Sequence, residues 1–366
     1  MARPAIDSIH IAARSTFTMT LGETTGDPFT PFVARVRDEV EGRLVGWLDG
    51  RVAEAKLRGQ DVGAVADAVR QLTMRGGKRM RPVLLAAAYE GCGGDGGSAR
   101  VAQAGVALEL LQTYLLTHDD WMDGDALRRG GPSVPALMHE RFGGEHADAM
   151  SVLAGDLAAA WSKRALFETE LPAARVLRAA AELARVEELV VEGQVLDVAG
   201  SSRSRAAVET MHSLKTASYS VRGPVVMGAL LAGATEGQVA SLVAFAEPLG
   251  VAFQLRDDLL GVFGDASATG KAAGGDLRKG KYSAVIVDAA PDSGPVDRVF
   301  GRFDASEDDL SCAIADLEAS GVRERVEARI GELVRASLSA LGDAKLTVEG
   351  HALLGFAAAA LTERRG

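Results

Sequence analysis

From Phe32 onward, Val, Leu and Trp in "FVARVRDEVEGRLVGWLDGRVAEA" fall at helical spacing. Further helices are predicted at 61–75, 80–92, 97–118, 132–142, 146–169, 172–198, 205–220, 223–233 and 236–263. The glycine clusters "GCGGDGG", "GGPS" and "GGDLRKGK" punctuate them, and "DAAPDSGP" reads as another loop. "EDDLSCAIADLEASG", "RERVEARIGELVRASLSALG" and "EGHALLGFAAAALTER" extend the helical reading to the C-terminus. Residues 1–28, ending near "GETTGDP", read as a flexible tail, with the fold beginning near Pro31 and 29–366 forming a single domain. No repeat of solenoid length is visible.

Composition sharpens this into a fold class. The 366 residues are 47% hydrophobic but only 5% aromatic, with 11 prolines and Ala/Leu-rich runs such as "LAAAWSKRALFE", as expected of an all-α protein. A net charge of -10, without a compensating Lys/Arg run, argues against a nucleic-acid partner. Cys92 and Cys312 are far apart and no secretory h-region is seen, so reduced thiols and a cytoplasmic location are expected. Apolar stretches are broken by Gly, Pro or charge before about 18 residues, which predicts no membrane span.

An apolar helix leads into paired aspartates twice, in "LLTHDDWMD" (115–123) and "FQLRDDLLG" (253–261). Asp119 and Asp123 are four apart, which puts both carboxylates on one helix face a turn apart. Such a pair needs compensation, either from Arg128 and Arg129 or from a divalent cation, and an all-oxygen donor set suits Mg²⁺. Asp257 and Asp258 repeat the arrangement. Two such groups together suit a diphosphate bridged by metals, which neutralise the charge growing on it as it departs. "RGGKRMRP" adds glycines for close backbone approach, with Lys78, Arg79 and Arg81 for a second phosphate group. "HSLKTASYS" adds Lys215 and Thr216, and "TGKAAGGDLRKGKYS" adds Lys271 and Lys281. The run "ALELLQTYLL" before Asp119 suits a hydrocarbon tail below a charged head, although core packing explains most of its leucines.

Over roughly residues 35–366 these features resemble the all-trans isoprenyl diphosphate synthases, or polyprenyl synthetases. "GGKRMRP", "DDWMD" followed by "RRGGPS", "LAGD" (153–156), "GQVLD" (193–197), "KTA" (215–217), "FQLRDDLLGVFGD" and "TGKAAGGDLRKGK" occur in the family's order. The resemblance implies antiparallel helices around a central cavity, usually in a homodimer, and Mg²⁺-dependent condensation of isopentenyl diphosphate with dimethylallyl, geranyl or farnesyl diphosphate. It implies up to three Mg²⁺ ions, with Asp119, Asp123 and Asp257 as ligands and Asp120 and Asp258 beside them in the catalytic group. Lys78, Arg81, Gln112 and Arg129 would hold isopentenyl diphosphate. Arg128, Lys215, Thr216, Gln254, Lys271 and Lys281 would hold the allylic diphosphate, Thr216 and Gln254 also steadying the developing cation.

Two positions depart from the pattern. Gln112 stands where many members carry histidine, and Gly261 stands where the second motif often ends in a third Asp. Tyr114 and Leu115, five and four positions before Asp119, occupy the family's chain-length floor and resemble the geranylgeranyl (C20) pattern more than the farnesyl (C15) one. A class I terpene cyclase and a non-catalytic synthase subunit are the competing readings. A cyclase needs no second diphosphate site, and non-catalytic subunits usually lose acids that this chain keeps.

Overall fold

The computed structural model describes residues 27–200, 203–264, 274–289 and 294–363. Most of the expected tail (1–26) and Lys271 lie outside the described residues. The described residues divide into two compact units, one comprising 27–183 and 226–234, the other drawn from 184–225 and 235–363.

In the first unit, α1 (Phe29–Arg58) buries Val36, Val40, Leu44, Leu48 and Val52, a stripe at four-residue spacing. Gly59, at φ 153°, ends it and α2 (Gln60–Met74) follows at once. α3 (Met80–Gly91) and α4 (Ala102–Asp123) bring in two strongly apolar helices. Gly105 of α4 lets α1 and α3 come close, since a Cβ there would lie 2.8 Å from Val40 and 3.3 Å from Pro82. A two-stranded hairpin, β1 (Leu127–Arg128) and β2 (Gly131–Pro132), leads into α5 (Val134–Phe142), which Ser133 caps by accepting from the Ala136 N–H at 3.2 Å. α6 (Gly144–Phe167) lies along α4, and the Ser162 hydroxyl donates to the Ala107 carbonyl at 2.8 Å.

α7 (Ala173–Val198) contributes residues to both units. In the second unit α8 (Arg205–His212) runs directly into a π-helix, Ser213–Arg222. α9 (Gly223–Ala232) follows and belongs mostly to the first unit. α10 (Glu236–Phe263) starts at a capping box formed by Thr235 and Gln238. α11 (Gly275–Arg278), α12 (Ala284–Asp288), α13 (Gly294–Val299), α14 (Glu307–Ala319), α15 (Val322–Gly342) and α16 (Val348–Thr362) complete the chain. Leu255, Leu259, Leu277, Val285, Leu310 and Ile330 lie in one buried core of this unit.

The all-α class holds, the hairpin being the one sheet among the described residues. Three expectations need correction. The helix expected to stop at 118 continues to Asp123, so all three acids of the first motif lie in its last turn. The helix expected from 132 starts at Val134, after a hairpin that the pattern did not predict. Residues 213–222 are π-helical rather than α-helical. By length and hydropathy alone α10 is long enough to cross a membrane, but its Leu242, Phe245, Leu249 and Leu255 are buried core residues.

Candidate active site

The last turn of α4 divides its three acids between two environments. Asp119 and Asp123 are half-buried and one turn apart on one face, while Asp120 faces inward and is fully buried. Arg128 reaches back from the hairpin and donates to Asp120 Oδ1 through Nε at 2.7 Å and through Nη2, and to Asp125 at 3.2 Å. Its Nη2 stays 3.9 Å from Asp119. Burial pushes the Asp120 carboxyl up to about 6, against the opposing pull of Arg128. Asp120 Oδ2 is buried without a hydrogen-bond partner. Arg128, expected to grip the allylic diphosphate, is held in place by Asp120 and Asp125.

The basic residues of this unit gather around the loop 75–79. Arg79, expected to face a phosphate, points into the protein instead. Its φ is 50°, and its guanidinium binds the buried Glu109 and donates to the Thr73 carbonyl at 3.0 Å. Lys78 beside it is exposed and Arg81 half-buried. The hairpin turn has φ 81° at Arg129 and 72° at Gly130, positive at both central residues as in a type I′ turn. Arg129 Nη1 donates to the Gly76 carbonyl at 2.6 Å, and Arg75 donates to the Arg128 carbonyl at 3.3 Å and to that of Pro132. Loop and hairpin are thus tied together. Burial first, and then repulsion from Arg81, Arg79 and Arg128, holds Arg129 below the usual arginine range despite the pull of Glu109. Cations gathered this closely form an attractor for an anion.

Below Asp119, the Tyr114 and His118 rings meet edge to face with centroids 5.0 Å apart. His118 Nε2 lies 3.0 Å from the Val152 carbonyl. "LAGD" has a steric reason for its glycine, because a Cβ at Gly155 would overlap the His118 imidazole. Leu115 and Gln112 are half-buried on the same helix.

The second unit carries the other acidic group. Asp257 is half-buried, whereas Asp258 is buried and accepts from the Gln254 amide at 3.1 Å and from the Ala284 N–H at 2.9 Å. His212 Nε2 lies 3.5 Å from the same carboxylate. Arg256 points elsewhere, forming a two-pronged pair with Glu327 and donating to the Thr362 carbonyl at 2.8 Å. Lys215 and Thr216 lie on the π-helix, a form frequent at functional sites. Lys215 Nζ bonds Asp197 at 2.6 Å, and a Cβ at Gly193 would stand 2.6 Å from the Lys215 Cα. The "GQVLD" motif therefore both admits and tethers the Lys215 segment. Lys281 is half-buried, its N–H donating to the Asp276 carbonyl at 3.0 Å.

The polyprenyl synthetase family model matches residues 63–316, well over half the chain. The chain belongs to the polyprenyl synthetase family. A geranylgeranyl diphosphate synthase of Methanosarcina mazei is 31% identical over 264 residues, covering 71% of this chain and 78% of its own. A (2E,6E)-farnesyl diphosphate synthase of Mycobacterium tuberculosis is 35% identical over 259 residues, 68% of each chain. The crystal structure of a Corynebacterium glutamicum geranylgeranyl pyrophosphate synthase, complexed with isoprenyl diphosphate and magnesium, superposes with a TM-score of 0.83 at 31% identity, covering 92% of this chain and 99% of that one. This polyprenyl synthetase is a prenyltransferase that joins isopentenyl diphosphate to allylic diphosphates, in a family whose chemistry depends on Mg²⁺.

The acids of this polyprenyl synthetase fit that ion. Asp119 and Asp123 present an all-oxygen pair one turn apart, with Arg128 bonded to Asp120 and Asp125 and 3.9 Å from Asp119. Among the described residues no three His, Cys, Asp or Glu side chains gather into a closed cage. Mg²⁺ typically takes one or two carboxylates, several waters and the substrate's own phosphates. Sequence reasoning missed Asp197, which holds Lys215, and Glu109, which holds Arg79. The acidic Asp ending "GQVLD" was a visible signal for the first, but nothing local marks the second.

Proposed function

We propose that this chain makes geranylgeranyl diphosphate (C20) by successive Mg²⁺-dependent additions of isopentenyl diphosphate to dimethylallyl, geranyl or farnesyl diphosphate. The observation carrying the product length is the braced pair of rings beneath Asp119. Tyr114 sits five residues before Asp119, about 7.5 Å down the helix axis, and an isoprene unit spans about one helical turn. His118 stiffens this floor by packing on the Tyr114 ring. A farnesyl product is the second reading, favoured by the 35% identity to the mycobacterial enzyme.

In this mechanism Asp119, Asp123 and Asp257 hold up to three Mg²⁺ ions. When bound, the ions neutralise the charge that develops on the departing diphosphate. Arg128, Lys215, Thr216, Lys271 and Lys281 bind the allylic diphosphate. One N–H of the Gln254 amide is given to Asp258, which orients the side chain, and the partial negative charge of its carbonyl oxygen steadies the allylic cation. Lys78, Arg81, Gln112 and Arg129 orient isopentenyl diphosphate so that its double bond attacks that cation. Released pyrophosphate then takes the proton. Asp120 acts by positioning Arg128.

We further propose a cytoplasmic homodimer. Cys92 and Cys312 are free thiols, as a reducing compartment maintains. Val191, Val195 and Val198 form an exposed apolar stripe on α7, 51–68% accessible, that a second copy would cover.

The deciding experiment supplies purified protein with Mg²⁺, labelled isopentenyl diphosphate and each of the C5, C10 and C15 primers, then resolves the dephosphorylated products by length. A dominant C20 product is expected, with Tyr114→Ala extending it beyond C20. A C15 product from the wild type selects the farnesyl reading, and no consumption of isopentenyl diphosphate removes both.

A further inference from the structure

Position 261 is where the second acidic group departs from the pattern that the family resemblance implies, because it carries no side chain at all. It lies one turn beyond Asp257 on the same face of α10, while Asp258 points the other way into the protein. The space beside it is nevertheless filled. A Cβ built at Gly261 would overlap Oδ2 of Asp276 and stand 3.0 Å from its Cγ. A carboxylate thus lies against the Asp257 face of α10, delivered by a different element.

That placement is built in. The next residue, Leu277, is fully buried in the core of this unit. Arg278 donates to the Ala305 carbonyl at 3.0 Å and to Glu307 at 2.7 Å, and the Gly301 N–H donates to the Leu277 carbonyl at 2.9 Å. These anchors fix the Asp276 backbone, and the absence of a side chain at 261 gives its carboxylate room.

We propose that Asp276 supplies the carboxylate missing at position 261, so that Asp257 and Asp276 together form the metal-facing side of the second motif. This rests on the reading of Asp257 as an Mg²⁺ ligand. Gly261 then has a specific role, since any side chain there would push Asp276 out of place. The third acid has moved from α10 to the short helix α11 that packs on it, and the site keeps its charge.

The test is isothermal titration of Mn²⁺ into the full chain with inorganic pyrophosphate present, following the weakest binding step. Asp257→Asn, Asp276→Asn and Asp276→Ala should each weaken that step about tenfold or more. Gly261→Ala, which displaces Asp276 without removing it, should do the same. The exchange Gly261→Asp with Asp276→Ala returns a carboxylate to the helix and should bring binding back to within about threefold of wild type. A purely structural Asp276 would not be rescued in this way. Wild-type Mn²⁺ binding in both Asp276 variants, alongside a loss in Asp257→Asn, overturns the proposal while leaving Asp257 a ligand. An exchange variant as weak as Asp276→Ala also overturns it. Unchanged binding in Asp257→Asn removes the reading of Asp257, and this inference with it.

Discussion

Asp119 and Asp120 are neighbours in sequence, yet one is half-buried and the other has no contact with solvent. Burial lifts the Asp120 carboxyl from an ordinary value of 3.8 to about 6. Between those values the folded state holds the proton more tightly than the unfolded chain, so this group's contribution is full below about 4 and is lost as pH rises through about 6. Thermal melts across that window should show the wild type losing more stability with rising pH than Asp120→Asn, and parallel curves would rule out the burial effect. The spacing of Asp119 and Asp123 was legible because a four-residue step fixes a helix face whatever the surroundings. The partners of Arg79 and Arg128 were not legible, since two arginines in a basic run look alike until Glu109 or Asp120 is brought within reach. The same holds for Gly261, whose meaning lies with Asp276, fifteen positions later in the chain.

Helices were easiest to read where a glycine ends them, as at Gly59 and Gly143, and hardest where the backbone itself departs from the α form. Residues 213–222 carry an ordinary helical pattern, and nothing local announces the wider turn of a π-helix. The turn at Arg129 was hidden for a related reason, because a non-glycine residue at positive φ is uncommon. It is held there by the bond from its own side chain to Gly76. Gly193 sets how closely α7 and the π-helix approach. Gly193→Ala forces the Lys215 segment away, and overpacking of this kind costs about 1–3 kcal/mol. The expected outcome is a lower melting temperature with a raised KM for the allylic diphosphate. Gly46→Ala is the control, since a Cβ there meets nothing within 4 Å and, in a helix interior, should leave KM unchanged and the melting temperature no lower. Equal behaviour of the two variants would remove the packing role of Gly193.

For the whole chain, family membership was legible because seven short motifs occur in one order, and order survives where overall identity falls to the 31–35% seen in the relatives. Product length and assembly were far less legible, since each depends on side chains from other helices or another copy. The dimer is tested by sedimentation velocity. The wild type should sediment as a dimer and Val195→Glu, which charges the centre of the exposed stripe, as a folded monomer with an unchanged circular dichroism spectrum. A monomeric wild type would dismiss the assembly. The loop 75–79 has a consequence of another kind. Arg79 is spent on Glu109 inside the protein, while Lys78 is exposed and Arg81 half-buried, and these two are the residues proposed to hold isopentenyl diphosphate. Anchor and grip are thus carried by different side chains of one short segment. Redesign of the grip for a differently charged substrate can change Lys78 and Arg81 and leave the anchor, and with it the fold, in place.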